Sequence, residues 1–444
     1  MKILYLLLVI PLATLGLCGQ GHAQYTDAVS VCGADPTGAT DSTTAITSCI
    51  ASYSAVSFPT GTFQACNVVI NNSSASIVGT QAILSPQLPA PAAPGGTVFT
   101  CASSTASIFV LKNSPGSLYI SVYMSGFSCT KPGTVIPTAG SCISGAPGAY
   151  CVPCTFSNIM STNQFIGFAI PAGNGLLRDV WAFNNYGDGF FFTQNSGQNM
   201  QWDADRLFAT LNSGWGVHVS NHSGSLAVIG HWTDSGTFAD GLGGLFAEGD
   251  ANSSINDWNL VNWGASDENG DCMRFQTYGD SITINGGLIE ACGRPGVGHV
   301  GRNQSIPPTT IPANGINFSM NNGSAMVANV YVNGTTASGI GAAGVLNRLT
   351  ISNSTLTDDA LTAGACGANC NAITIYPSNT RAVVTGNQVV FTSTPHAGYA
   401  LLSNSPLTTA TGNILQNGSS GAACGGAAYA KAGNVVSSGI GAGC

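Results

Sequence analysis

The chain has 444 residues, and only 7% of them are charged, against roughly 25% in an ordinary soluble domain. Eleven Lys and Arg against nineteen Asp and Glu leave a net charge of −8, which excludes a basic surface for nucleic acid. A hydrophobic share of 44% excludes disorder, low charge excludes a coiled coil, and 58 glycines among many Ser, Thr and Asn indicate an all-β chain with tight turns.

Lys2 precedes an apolar run from Ile3 to Leu17, followed by the small-x-small pattern Gly21-His22-Ala23. The run is short for a bilayer span, so residues 1–23 read as a secretory signal, with Gln24 the first mature residue. No later stretch reads as a transmembrane helix, so a secreted or periplasmic protein without membrane contact after cleavage is expected. Apart from Cys18 in the signal, fourteen of the fifteen cysteines remain, an even number. Near pairs Cys32/Cys49, Cys151/Cys154, Cys272/Cys292, Cys366/Cys370 and Cys424/Cys444 read as disulfides of an exported chain. A zinc site at Cys151-x-x-Cys154 lacks a second CxxC or a nearby His.

The mature chain opens with Val31-Cys32-Gly33-Ala34-Asp35-Pro36-Thr37-Gly38-Ala39-Thr40-Asp41-Ser42-Thr43-Thr44-Ala45-Ile46, followed by Phe58-Pro59-Thr60-Gly61-Thr62-Phe63. This resembles the opening segment of the pectate-lyase-like superfamily, which includes rhamnogalacturonase-like proteins and phage tailspikes. The resemblance implies a single-stranded right-handed parallel β-helix with a short N-terminal capping helix. Asp41 would cap that helix, with Ile46, Cys49, Ile50 and Tyr53 on its apolar face over the open end of the solenoid. Residues 24–155 are expected to hold this cap and early coils with stapled loops, the Cys129, Cys142, Cys151 and Cys154 region among them. A Pro-rich loop is expected over 85–96.

Regular coils are expected over 156–415 and a Gly/Ala-rich tail over 416–444. Short apolar strands recur after Gly-rich turns around Phe191, His218, Arg274, His299 and Asn317. The first four are spaced by 27, 56 (two periods of 28) and 25 residues. A fixed period of this size means stacked β-coils; a β-sandwich is the alternative. Alternation turns the middle residue of Val217-His218-Val219 and of Met273-Arg274-Phe275 outward, so the five residues should form one outward column. Arg274 and His299 would be neighbours, with His218 two coils below Arg274.

Fourteen of the nineteen acidic residues fall between Asp179 and Glu290. Some, such as Asp257 and Asp280, suit solenoid turns. Asp188 and Asp271 each stand three residues before the column, with Asp240, Asp267 and Glu268 in the same turn region. The candidate catalytic set is therefore Asp271, His299, Arg274, His218, Glu268, Asp188 and Asp240. Acids with an Arg and His suit a sugar polymer. A hydrolase needs two carboxyls, one held protonated. A lyase needs a cation for a uronate carboxylate, here Arg274, and a base, here His299 or His218. No cofactor is required; calcium on Asp267, Glu268 and Asp271 is the alternative to Arg274. Trp202, Trp215, Trp232 and Trp263 share this stretch, with at most two expected outside; Trp215 and Trp263, with Arg302, are the candidate substrate contacts. Asp203 and Asp205 read as a carboxylate pair or as partners, with Asp179, of Arg206; Asp358-Asp359 reads as an exposed turn, and His222 as a loop residue without a role.

Asn269-Gly270-Asp271-Cys272-Met273-Arg274-Phe275 and Gly298-His299-Val300-Gly301, with Arg302, are similar to strands of polygalacturonase-type hydrolases. Gly270 replaces the first Asp of that family's pair, and its Asn-Thr-Asp and Arg-Ile-Lys motifs are missing. The expected function is cleavage of an acidic polysaccharide by lyase or hydrolase chemistry, by a monomer with a trimer as the alternative. A non-catalytic adhesin or glycan-binding scaffold, and a tailspike-like depolymerase, are the competing readings.

Overall fold

The computed structural model describes residues 24–80, 96–193, 200–222, 228–251, 253, 255–279, 281–293, 312–359, 371–377, 379–391, 398–416 and 423–436. His299, Arg302, Cys366, Cys370, Cys444, Asp280, the signal segment and most of the Pro-rich loop lie outside them.

Near the N terminus the single helix among the described residues, Thr43–Ser52, buries Ile46, Cys49 and Ile50. Asp41 serves its first turn, its Oδ1 accepting the Thr43 N–H at 2.9 Å. Ser42, at the N-cap position, turns its hydroxyl outward to accept the Asp35 N–H at 2.8 Å. Tyr53 is not on the buried face: it ends the helix in extended geometry and is 42% exposed.

Beyond the helix, short strands stack in parallel, each strand pairing with its counterpart one coil away. One wall is a sheet of thirteen strands, which includes Phe190–Thr193, Trp215–Asn221, Gly243–Gly249, Met273–Gln276 and Ile316–Phe318 in consecutive positions. The other strands form a longer, bent sheet around the same core. Parallel strands joined coil to coil in one winding direction make a parallel β-helix, and right-handed crossovers are the rule for such connections. The core is one continuous apolar column from Ala28 to Cys424.

Alternation fails where the backbone bends. Trp258 and Trp263 are five residues apart in the strand Trp258–Ser266, which regular alternation would send to opposite faces. Asn262, between them at φ 54°, resets the phase, and both indoles are fully buried. Trp263 stacks on Trp232 at 5.9 Å inside the core. It is therefore a packing residue and not a sugar contact. Trp202 and Trp232 are buried as well, so Trp215 alone of the four expected tryptophans reaches the surface.

Five disulfides occur among the described residues. Cys32–Cys49, Cys151–Cys154 and Cys272–Cys292 are the expected pairs. Cys66–Cys101 and Cys129–Cys142 complete the set. Cys424 is disulfide-bonded too. Cys272–Cys292 spans 20 residues beside the strand that carries Arg274. Replacing both by Ala is expected to lower stability by about 3 kcal/mol, read as a lower denaturant midpoint. An unchanged midpoint would contradict a stabilising role.

Candidate functional site

Register places five residues in one outward line on the thirteen-stranded wall. Phe191 pairs with His218, His218 with Phe246, Phe246 with Arg274, and Arg274 with Asn317. His218 and Arg274 are two coils apart, as the 28-residue period requires. The expected neighbour of Arg274 is corrected: Asn317 holds the place assigned to His299. The Asp271–Asn314 step is 43 residues, so the period of the preceding coils breaks here.

Asp188 and Asp271 do equivalent work at the leading edge of this wall. Asp188 Oδ1 accepts the Trp215 N–H at 2.8 Å, and Asp271 Oδ1 accepts the Asn314 N–H at 2.6 Å, each one coil on. The second oxygen of each reaches the outward line: Asp188 Oδ2 meets His218 Nδ1 at 3.0 Å, and Asp271 Oδ2 accepts the Asn317 side-chain amide at 2.8 Å. Burial pushes the Asp271 carboxyl up; the Asn314 and Asn317 amides and the Arg274 charge pull it part of the way back.

His218 is clamped between two acids. Its Nε2 lies 3.1 Å from Glu248 Oε1, opposite the Asp188 contact. Its ring sits between Phe191 and Phe246, with centroids at 5.0 and 5.1 Å. Burial disfavours the imidazolium, but the hydrogen bonds and charges of Asp188 and Glu248 outweigh it and raise the His218 pKa. Burial would raise Glu248, but His218 and His222 together hold it below the usual range. His222 therefore has a partner, with Nε2 at 3.4 Å from the same Glu248 oxygen. A raised histidine pKa stabilises the fold fully below the unfolded value near 6.5 and loses that contribution as pH rises through the folded value. His218→Gln is thus expected to lower the denaturant midpoint more at about pH 6 than at about pH 9. Equal losses at both would rule out the charged clamp.

Arg274 stands above Phe246, its guanidinium carbon 5.5 Å from the ring centroid. One NH2 group donates to Gln276 Oε1 at 3.1 Å. Its Nε is buried and has no hydrogen-bond partner. Asp250, Arg274, Gln276, Tyr278, Ser319 and Asn321 line a hollow of 480 Å³. Trp215 stacks on Phe246 at 4.8 Å beside it. The indole lies over Gly243, where φ is +151° and a Cβ would collide with it, so the platform needs glycine there.

Asp240 and Glu268 do not join this face. Both are fully buried in a ladder of turn residues. Asn185 N–H and Nδ2 donate to Asn212 Oδ1 one coil on, and Asn212 N–H and Nδ2 donate to Asp240 Oδ1 at 2.7 and 2.9 Å. The Asp240 N–H donates in turn to Glu268 Oε2 at 2.8 Å. These acids continue an asparagine ladder and face the interior. Burial pushes both well above the normal carboxyl range, with Asp188 repelling Asp240 and Asp240 repelling Glu268. The calcium alternative fails on the same geometry. Glu268 points inward, Asp267 accepts the Ser266 hydroxyl, and Asp271 is taken by Asn314 and Asn317. Among the described residues no group of three or more His, Cys, Asp or Glu side chains is placed to hold a metal ion.

Asp179, Asp234, Asp257, Asp267 and Asp358 have φ between 48° and 58°, the left-handed corners that Asp tolerates. Arg206 pairs with Asp179 and Asp205, so the ion-pair reading holds over a carboxylate pair with Asp203. Asp359 is buried and accepts the Thr335 N–H at 3.2 Å, which corrects the exposed turn expected there. Phe246, Glu248, Gln276 and Tyr278 escaped sequence reasoning. Counting 28 residues on from His218 lands on Phe246, and Glu248 follows two positions later on the same face.

No family model matches the sequence, and comparison with curated proteins gives no match. Solved structures do match. DFA-IIIase from Arthrobacter chlorophenolicus A6, in complex with GF2, superposes with a TM-score of 0.54 at 16% identity, over 88% of this chain and 93% of that one. The A-module of an Azotobacter vinelandii mannuronan C-5 epimerase gives 0.49 at 13%, covering 94% and 98%. Tailspike protein 3 of bacteriophage CBA120 gives 0.46 at 10%, covering 88% of this chain and 61% of that one. At these identities the likeness defines the fold. The chain is a right-handed parallel β-helix, the fold that its opening motif implied.

Proposed function

We propose that the protein is an exported enzyme that cleaves an acidic polysaccharide by β-elimination, with a uronate carboxylate seated on Arg274. The observation that carries this is the buried, unpartnered Arg274 Nε beside a 480 Å³ hollow on the outward wall. A guanidinium fork matches a carboxylate and would neutralise it, which acidifies the proton on the adjacent carbon. A base removes that proton, and the electron pair forms a carbon–carbon double bond as the glycosidic oxygen leaves. Tyr278 lines the same hollow and is the proposed base. His299 keeps that role as the alternative from sequence. His218 is ill suited to it, because both its nitrogens are engaged by carboxylates that favour the cation. Trp215, half-buried and stacked on Phe246, offers an indole face for a sugar ring. The disulfides fit an oxidising compartment, and no helix among the described residues is long and apolar enough to cross a membrane.

A hydrolase is the second reading, favoured by the raised Asp271 carboxyl, as a general acid requires. The chain from Gln24 should be assayed on acidic and neutral polysaccharides for unsaturated ends by ultraviolet absorbance and for reducing ends. Both signals on an acidic polymer are expected. Reducing ends alone would replace elimination by hydrolysis. Silence with glycan binding retained would make the wall a binding scaffold.

A further inference from the structure

The wall carries a second hollow, of 300 Å³, at the opposite edge from Arg274. It is lined by Phe165, Ile166, Tyr186 and Leu242, with Asp188 and the backbone of glycines 187 and 214. These residues precede the strands Ile166–Ile170, Phe190–Thr193, Trp215–Asn221 and Gly243–Gly249. The Arg274 hollow instead lies where strands end, at Gly249, Gln276 and Ser319. Phe191, His218, Phe246 and Arg274 pair in succession, so the two centres are three coils apart, about 14 Å along the axis. His218, Trp215 and Phe246 lie on the oblique path between them.

The two hollows differ in charge. The Arg274 hollow is lined by a cation as well as by one acid, Asp250, so it offers an anion a partner. The second holds no cation among its lining residues; its one charged group is Asp188, with both oxygens engaged by Trp215 and His218. An anionic sugar there would meet no cation free to pair with it, because His218 is already held by Asp188 and Glu248, whereas a neutral sugar needs none. The lining is otherwise mainly apolar, and Leu242 is 45% exposed, as suits the apolar face of a sugar ring.

We propose that this hollow is a subsite for a neutral sugar residue, so that the substrate is a mixed polymer in which neutral sugars stand between uronates. The proposal rests on Arg274 being the uronate seat. It is tested by measuring binding of three probes of equal length: a homo-oligogalacturonate, a mixed oligosaccharide with neutral hexoses between glucuronates, and a cello-oligosaccharide. Wild-type protein and Leu242→Asp are compared, with Leu242→Ala as a milder variant; the exposed side chain makes both compatible with folding. The mixed probe is expected to bind at least tenfold tighter than the homo-oligogalacturonate. Leu242→Asp should abolish cello-oligosaccharide binding and weaken the mixed probe far more than the homo-oligogalacturonate, with Leu242→Ala intermediate. Equal wild-type affinity for mixed and homopolymeric probes would overturn the subsite, as would equal weakening of both by Leu242→Asp. Binding of the cello-oligosaccharide alone, lost in Leu242→Asp, would keep the subsite and overturn the Arg274 seat. No binding of any probe would overturn both.

Discussion

Arg274→Ala is expected to lower kcat/KM on the acidic polymer by roughly 10²–10³-fold, the range seen when one preorganised charge-stabilising donor is removed. The reason is local. The guanidinium is held by the Phe246 ring and by Gln276, so a local shift that uncovers its buried Nε is all that an arriving carboxylate requires. Its buried Nε is already without a partner, and only a ligand or solvent satisfies it. Arg274→Lys keeps the charge and loses the planar fork, so partial activity is expected. Fold should be unaffected, because Arg274 is only partly buried and no ion pair to it occurs among the described residues. An Arg274→Ala enzyme with wild-type kcat/KM would remove the residue from the site.

The largest expected effect on stability lies behind the site, at Asp240. The ladder Asn185, Asn212, Asp240, Glu268 repeats every 27 or 28 residues. Each asparagine donates its backbone N–H and its side-chain amide to the next rung. Asp240 donates its N–H but has no amide, and its Oδ2, like Glu268 Oε1, has no partner. A proton on Asp240 would let it imitate asparagine and bridge the two acids. The raised pKa values have this sign. A carboxyl with a folded pKa above its unfolded value stabilises the fold at low pH and loses that contribution as pH rises through the folded value. Asp240→Asn supplies the amide permanently. It is expected to match or exceed wild-type stability at about pH 8 and to show a smaller fall between about pH 5 and pH 9. Asp240→Ala leaves the Asn212 N–H unpaired and its side-chain amide with only the Ala182 carbonyl, at about 1–3 kcal/mol for a buried group left without its partner. Denaturant midpoints across that pH range check both. Asp240→Asn as damaging as Asp240→Ala would contradict the shared proton.

This ladder also marks what the sequence could and could not tell. The solenoid was legible because its period is carried by the strands themselves, at Phe191, His218 and Arg274. The cap was legible because Ile46, Cys49 and Ile50 keep helical spacing. The outward placing of His218 and Arg274 followed from alternation, and register confirms it. The concentration of acids misled, because three different demands draw Asp and Glu to the same coils. Corners need left-handed residues, as at Asp257 and Asp267. The interior ladder needs acceptors, as at Asp240 and Glu268. The surface needs charge, as at Asp188 and Glu248. Nothing in a single sequence separates these demands, because a turn residue two positions from a strand can face either way. Asn317 holds the place assigned to His299 because the step from Asp271 to Asn314 is 43 residues, longer than the 27 or 28 of the preceding coils, while Gly298-His299-Val300 lies nearer the regular spacing. Trp263 was misplaced because the bend at Asn262 resets alternation without a glycine or proline to announce it.

The measurement that bears most directly on the central claim is a crystal structure of Tyr278→Phe, which should bind without turnover, soaked with a uronate oligosaccharide. The account predicts a uronate carboxylate within hydrogen-bond distance of Arg274 Nε, with a ring against Trp215 or Phe246. An oligosaccharide seated on the other wall, or one whose carboxylates all turn away from Arg274, would contradict it.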